Sequence, residues 1–448
     1  MVSGGVMAVK TLLIYPYIKN AVPTVPIGLA YLAGMLLKHS YPVRIIDAIA
    51  EQMDDQELAG AIKDYSPDII GISAMFSEYA KSYHDTAKLS KNALPGAKVV
   101  LGGSYASTDP ELVLRDENVD CVVQGEGEMA LLDIVRGSQA RHIQAPYIKD
   151  LDTIPFPARE LLPMAEYFKF RSPYVLRNPA TSVITSRGCP RHCIYCSIHS
   201  VWGKYWRKRS VENVVDEIEL LKDLYGIREI NFNDDNISVD HLRMNEICDE
   251  LIKRNLDIKW TMPNGIALWT LNEELIKKMR QAGCYRLTFG IETGNKRMQK
   301  YICKNIDLDY ARQVIKWAND AGIWTISTNI LGFPTETRQE INDTVDFAIS
   351  SGVDFALFYN LTIFKGSVVE KLEPVKFSPD EIRQIQTEAY RQFIRSRLNV
   401  DLGRLVKKLY SFEMVLYFFR LVMMFISIGI RLIKFRQMKT SLMYKWKI

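Results

Sequence analysis

The chain of 448 residues lacks most of the features that would place it at a glance. Its seven cysteines are an odd number, and Lys10 to Pro16, the first apolar run, is short and has no small-residue cleavage site after it. A secretory signal and a disulfide framework are therefore not expected. A reducing, cytoplasmic setting is, and clustered cysteines are to be read as metal or redox ligands. There is no repeat of 20–50 residues and no low-complexity tract, which excludes solenoids and polar disordered arrays. A spanning helix needs ~20 apolar residues. Met414–Ile430 offers 17, with Arg420 and Ser427 inside them. Acidic residues are scarce in one place: between Asp401 and Ile448 two face ten lysines and arginines. That tail accounts for more than the whole net charge of +5, so the rest of the chain is slightly acidic and is not expected to bind nucleic acid.

What is present is enough for two cores, with 48% hydrophobic and 24% charged residues. Strand-like runs at Thr11–Tyr15, Val43–Ile46, Ile69–Ser73, Lys98–Leu101 and Val119–Val123 alternate with helical stretches near 28–38, 54–65, 78–93 and 109–116. This alternation predicts a Rossmann-like parallel sheet over residues 1–136, with Gly102–Gly103 and Gly125 at the carboxyl ends of strands, where such sheets bind ligands. Residues 137–180 hold six of the 18 prolines and read as an ordered, irregular linker. Alternation resumes over 181–370, with strands at Ser182–Thr185, Glu229–Phe232, Lys259–Thr261, Arg286–Phe289, Thr325–Ile330 and Phe355–Leu361. Six β/α units predict a partial (β/α)6 TIM-type barrel with its chemistry at the carboxyl ends. Ser210 is placed to cap a helix whose apolar stripe is Val211, Val214, Val215, Ile218, Leu221 and Leu224. Residues 371–448 read as a helical region opened by the capping box at Ser378-Pro379-Asp380-Glu381.

The segment Cys189-Pro-Arg-His-Cys193-Ile-Tyr-Cys196 carries the strongest chemical signal. Three thiolates on one short loop suit three corners of a cubane iron–sulfur cluster and leave one iron open to a ligand. Zinc on the same cysteines plus His192 or His199 is the alternative, although zinc sites usually pair two short spacings and no second Cys/His pair exists. Cys121, Cys248, Cys284 and Cys303 read as small buried hydrophobes. Asp234 to Glu246 resembles a calcium loop only superficially, since the turn glycine is missing.

With Thr185-Ser-Arg-Gly188 before it and Tyr195 before the third cysteine, this loop resembles the signature of the radical S-adenosylmethionine superfamily. Three further segments resemble that family's strand-end motifs in order: Asn231-Phe-Asn-Asp-Asp235, Leu287-Thr-Phe-Gly-Ile-Glu292-Thr-Gly294 and Asn329-Ile-Leu-Gly332-Phe-Pro-Thr-Glu336. The resemblance implies a 4Fe–4S cluster on Cys189, Cys193 and Cys196. It also implies S-adenosylmethionine bound near Tyr195, Asp234 or Asp235, Glu292 and Gly332. The usual Gly-Gly-Glu is replaced here by Asn233-Asp234-Asp235, so either aspartate is open as the contact for the methionine amino group. One-electron cleavage to a 5′-deoxyadenosyl radical, with an electron donor such as flavodoxin or ferredoxin, is the implied chemistry. No catalytic residue beyond the cluster ligands is assigned. Glu336 reads equally well as a helix-start carboxylate.

The first domain resembles the cobalamin-binding domain that precedes many such enzymes, through Ile27–Ala33, Gly71–Ser73, Leu101–Ser104, Val123–Glu128 and Leu151–Pro157. It implies cobalamin near Ser73, Gly102, Gly103, Gly125 and Glu126. The segment that supplies a cobalt-ligating histidine in other cobalamin domains is missing, and residues 15–28 contain no histidine. The implied function is cobalamin-dependent methylation of an unactivated carbon on a small-molecule or lipid-like substrate. Alternatives are a radical cyclase or oxidoreductase of the anaerobic tetrapyrrole cyclase type, and a non-enzymatic metal-binding interaction protein. For Met414–Ile430 three readings stand: an interfacial anchor making peripheral contact with the inner face of the membrane through residues 401–448, a buried helix closing the barrel, and a spanning helix.

Overall fold

The computed structural model describes residues 9–170, 172–397 and 402–434, and within the last of these the side chains of residues 403–424. The chain forms two compact units. One comprises residues 1–170 with 197–208, the other 171–196 with 209–448.

In the first unit β1 (Thr11–Tyr15), β2 (Val43–Asp47), β3 (Ile69–Ser73), β4 (Lys98–Gly102), β5 (Cys121–Gln124) and β6 (His142–Gln144) form one parallel sheet in the order β2-β1-β3-β4-β5-β6. Its strands are runs of β-branched residues and leucine with helices on both faces, which is what an all-parallel sheet requires. Leu12, Ile14, Ile70, Ile72, Val99 and Leu101 form the centre of the core. The strand order reverses between β1 and β3, and the carboxyl ends there are the ligand edge of such a sheet. Two expectations need correction. The helix expected at 109–116 is two short helices, Ser104–Thr108 and Pro110–Val113. Pro110 disfavours helical geometry at the residue before it, and Asp109 sits at φ −142°. Val119 is buried in a turn closed by its N–H on the Asp116 carbonyl, so β5 starts two residues later than its apolar run. β6 lies in the proline-rich stretch, at the sheet edge where prolines nearby are tolerated.

In the second unit β7 (Ala180–Val183), β8 (Glu229–Phe232), β9 (Lys259–Met262), β10 (Cys284–Glu292), β11 (Trp324–Leu331) and β12 (Phe355–Asn360) pair in parallel and in chain order, as a partial barrel does. β7 stops at Val183, because the Thr185 N–H is taken by the Asp234 carboxylate rather than by a strand neighbour. In the helix Val211–Tyr225, Ser210 accepts from the Asn213 N–H as expected, and Val214, Val215, Ile218 and Leu221 are buried. Val211 is only half-buried and Leu224 is exposed, so the stripe is narrower than the sequence suggests. The Ser378–Glu381 capping box is formed and opens the helix Pro379–Ser396.

The amino end of the barrel is closed by the helix Phe412–Lys434. Met414, Tyr417 and Leu421 pack against Leu176, Tyr285 and Trp324. Arg286 Nη1 donates to the Tyr417 hydroxyl (2.8 Å) and the Tyr174 carbonyl (2.7 Å). Beside it, buried Glu229 accepts from the Tyr285 hydroxyl (2.7 Å) and from the Leu176 and Arg177 N–H groups (2.8 Å each). Burial outweighs these bonds and lifts its carboxyl from 4.5 to about 7. A carboxyl with a raised folded-state pKa binds more protons folded than unfolded between the two values. Its contribution is therefore full at low pH and is lost as pH rises through about 7. The urea midpoint is expected to fall more steeply with pH between about 5 and about 8 in the native chain than in Glu229→Gln. Equal slopes in the two proteins would contradict this.

Candidate active site

The cysteine loop is tied to the carboxyl ends of the barrel strands by its own residues. Ile194 is buried with Met298, Ile302 and Phe333, its N–H donates to the Ile302 carbonyl (3.1 Å), and its carbonyl accepts from the Val369 N–H (2.9 Å). The Cys196 N–H donates to the Cys193 carbonyl (3.1 Å). Gly188, at φ 87°, provides the turn into Cys189. Cys189 and Cys193 are half-buried and Cys196 is exposed, whereas Cys121, Cys248 and Cys284 are buried. Cys303 is a correction: it is exposed, in left-handed backbone at φ 56°. Burial pushes the Cys189 and Cys193 thiols up, and the Lys304 charge opposes this at both. Among the described residues no three His, Cys, Asp or Glu side chains are close enough to hold a single metal ion. A cubane cluster asks for something else, three thiolates spread along one loop, and this donor set supplies them.

The two aspartates after β8 differ sharply. Asp234 is fully buried and spends its carboxylate on the Thr185 N–H (3.1 Å), the Thr185 hydroxyl (2.9 Å) and the Ser186 hydroxyl (2.6 Å). Arg243, also buried, donates to the Thr185 carbonyl (3.0 Å) and completes the network. Asp235 accepts from the Gly188 N–H alone among the bonds described (3.1 Å), and desolvation lifts its carboxyl to about 7. An under-bonded, desolvated carboxyl beside the cysteine loop fits an ammonium group.

Glu292 is positioned by a bulge. The register of β10 against β11 shifts between Gly290 and Glu292, and Glu292 takes φ 66°. Its carboxylate meets Lys304 Nζ at 2.8 Å, and the same ammonium lies 3.1 Å from the Tyr195 hydroxyl. A Cβ on Gly290 would lie 2.7 Å from Glu292 Oε1 and 2.8 Å from Lys304 Nζ, so a side chain there would have to push the ends of the pair aside. Lys304 is flanked by two further non-glycine residues in left-handed backbone, Cys303 and Asn305 (φ 51°), strain of a kind that gathers at functional sites. Nothing in the sequence pattern marks Lys304, which reaches the site only through tertiary packing. Lys304→Met is expected to weaken S-adenosylmethionine binding by about tenfold, as loss of a supporting contact does, with iron content unchanged. Equilibrium dialysis with labelled ligand tests it; undiminished affinity would leave Lys304 without a positioning role.

Gly332, at φ 88°, precedes Phe333, whose ring centroid is 5.7 Å from that of Tyr195. Glu336 accepts from the Gly332 (2.7 Å) and Phe333 (3.0 Å) N–H groups and so braces this turn. The following helix is capped separately, by Thr337 with Glu340. Tyr195, Asp235, Glu292 and Gly332 thus gather around the cysteine loop, while Asp234 serves the backbone beneath it.

In the first unit Ser73, Gly102, Gly103 and Gly125 stand on the carboxyl edge of the sheet. A Cβ on Gly103 (φ 111°) would lie 2.5 Å from the Ala74 carbonyl oxygen, a backbone cradle only glycine permits. Ser107, which sequence reasoning missed, joins the two glycine loops: its hydroxyl donates to the Gly103 carbonyl (2.8 Å) and accepts from the Gly125 N–H (3.0 Å). This bare-backbone edge fits a large flat cofactor with a polar tail. Glu126 is turned inward. It is buried, ion-paired with Arg207, and accepts from the Ile148 N–H (3.3 Å).

A glycine-edged Rossmann-like unit joined to a partial barrel with three cysteines at its mouth defines a class, enzymes that bind a cluster and an organic cofactor at strand ends. Comparison with known proteins narrows it. Residues 183–348 match the radical SAM superfamily model and residues 18–135 the B12 binding domain model. An uncharacterised methyltransferase of Pyrococcus horikoshii is 35% identical over 80% of this chain and 82% of its own length. Cytidylyl-2-hydroxyethylphosphonate methyltransferase of Streptomyces wedmorensis is 32% identical over 77% of each. Among solved structures, the radical S-adenosylmethionine methyltransferase TsrM of Kitasatospora setae, with cobalamin and a [4Fe–4S] cluster bound, shares the fold at a TM-score of 0.68. It is 18% identical and covers 81% of this chain and 74% of its own. The chain belongs to the cobalamin-dependent radical S-adenosylmethionine enzymes, and its cofactors are a 4Fe–4S cluster, S-adenosylmethionine and cobalamin.

Proposed function

We propose that the protein transfers a methyl group to an unactivated carbon of a small-molecule or lipid-like substrate. The observation that carries methyl transfer over ring closure is that two relatives above 30% identity, each matched over more than three quarters of this chain, have methyltransferase names. When bound, the cluster with S-adenosylmethionine supplies one-electron carbon–sulfur cleavage and hydrogen abstraction, and cobalamin supplies a methyl carrier.

The chain's own residues hold and orient these groups. Cys189, Cys193 and Cys196 hold three corners of the cluster. Asp235 takes the ammonium of the methionine moiety, Glu292 the ribose hydroxyls, and Tyr195 with the Gly332 turn the adenine. Ser73, Gly102, Gly103 and Gly125 present bare backbone to cobalamin, with Ser107 fixing the spacing of the two glycine loops. Reducing equivalents come from a flavodoxin- or ferredoxin-type donor in the cytoplasm.

Protein isolated anaerobically from cells supplied with iron and cobalamin is expected to hold about four iron atoms and about one cobalt per chain, and no zinc. It should also pass label from methyl-labelled S-adenosylmethionine to product. Iron without cobalt would shift the reading to cyclisation or oxidation; zinc alone would remove the radical mechanism.

A further inference from the structure

The helix Phe412–Lys434 has two apolar faces, and the barrel uses only one. Met414, Tyr417 and Leu421, three and four residues apart, are buried against the barrel base. Phe412, Leu416, Phe419 and Met423 recur at the same spacing on the opposite side, and are 75%, 48%, 58% and 64% exposed. A row of four large apolar side chains left in water marks an interaction surface. The charge that follows names its partner: between Arg431 and Ile448 stand six lysines and arginines and no aspartate or glutamate, while residues 1–400 are slightly acidic.

We infer that this outer face lies in the interface of an anionic lipid bilayer, with the apolar row among the acyl chains and the local excess of positive charge selecting anionic headgroups. The helix lies flat rather than crossing. Its inner face is committed to the barrel, Arg420 Nη2 donates to the Leu176 carbonyl (3.3 Å), and no helix among the described residues is long and apolar enough to span a membrane. The surface is separate from the cysteine loop, at the opposite end of the barrel strands.

Co-sedimentation of the full chain with vesicles tests this without any cofactor loaded. The chain should pellet with vesicles of equal parts phosphatidylglycerol and phosphatidylcholine, remain in solution with phosphatidylcholine alone, and be released by salt. Phe419→Ser and Met423→Ser should each lower vesicle partitioning by about tenfold, the loss of one buried apolar side chain. Both side chains are exposed in the free protein, so the melting temperature should not change. Arg431→Glu with Lys434→Glu should abolish the preference for anionic vesicles. Equal binding to neutral vesicles, or no binding to either, would overturn the proposal. So would a dimer in solution that the same serine variants dissolve, since that would make the face a contact between copies. Because binding needs neither cluster nor substrate, failure here leaves the methyl-transfer reading standing, and failure there leaves this one.

Discussion

Cys193→Ala should lose cleavage of S-adenosylmethionine to the background of the measurement and fall well below four irons per chain, while keeping its circular dichroism and melting temperature. Each of the three cysteines serves one corner, and a cluster missing one protein ligand is not retained in stoichiometric amount. The fold does not rest on this thiol. Cys193 is half-buried, and the packing of its loop comes from Ile194, whose backbone bonds to Ile302 and Val369 do not involve sulfur. Retained cleavage would remove the cluster assignment. A collapsed melting temperature would show that the loop is structural instead. Cys303→Ala is the internal control: an exposed cysteine close to Lys304 but outside the ligand loop, with no change expected in iron or activity.

The second large effect separates the two adjacent aspartates. Asp235→Asn removes the charge opposite an ammonium in a desolvated place, where breaking a hydrogen-bonded charge pair costs about 2–3 kcal/mol or more, on the order of a hundredfold in Kd. Stability should not fall, because its only described bond, from the Gly188 N–H, can still be accepted by an amide oxygen, and the amide carries no charge to desolvate. Asp234→Asn should do the reverse. Three donors converge on a buried carboxylate, and the amide would turn an N–H₂ toward one of them, costing about 2–4 kcal/mol of stability. Thermal melts and binding isotherms on both variants decide it. Loss of affinity in Asp234→Asn with an unchanged melt would invert the assignment.

The sequence carried much of this and missed specific parts for physical reasons. Strands such as Thr11–Tyr15, Ile69–Ser73 and Glu229–Phe232 are legible because a buried parallel strand is a compact apolar run between breakers. β6 is not, since a three-residue edge strand has no periodicity to read. The motifs at the strand ends pointed to Asp234, Asp235 and Glu292 but not to which aspartate is spent on backbone, a matter settled by which donors come within reach. The bulge before Glu292 and the arrival of Lys304 beside it are register and packing events, invisible in a one-dimensional pattern. Leu224 shows the opposite failure: a helical stripe can extend beyond the surface that is there to cover it.

The course of the backbone sets terms for modular engineering. The chain leaves the first unit after Phe170, returns to it for Ser197–Lys208, and leaves again, so that a single unit is written in two pieces with the cysteine loop between them. Cutting once at residue 170 would strip away Arg207 and strand the buried carboxylate of Glu126 without its cation. The cobalamin-type unit is thus not a cassette to be swapped at one junction. A chimera that grafts it onto another barrel must carry the second piece as well, spliced in directly after the third cysteine.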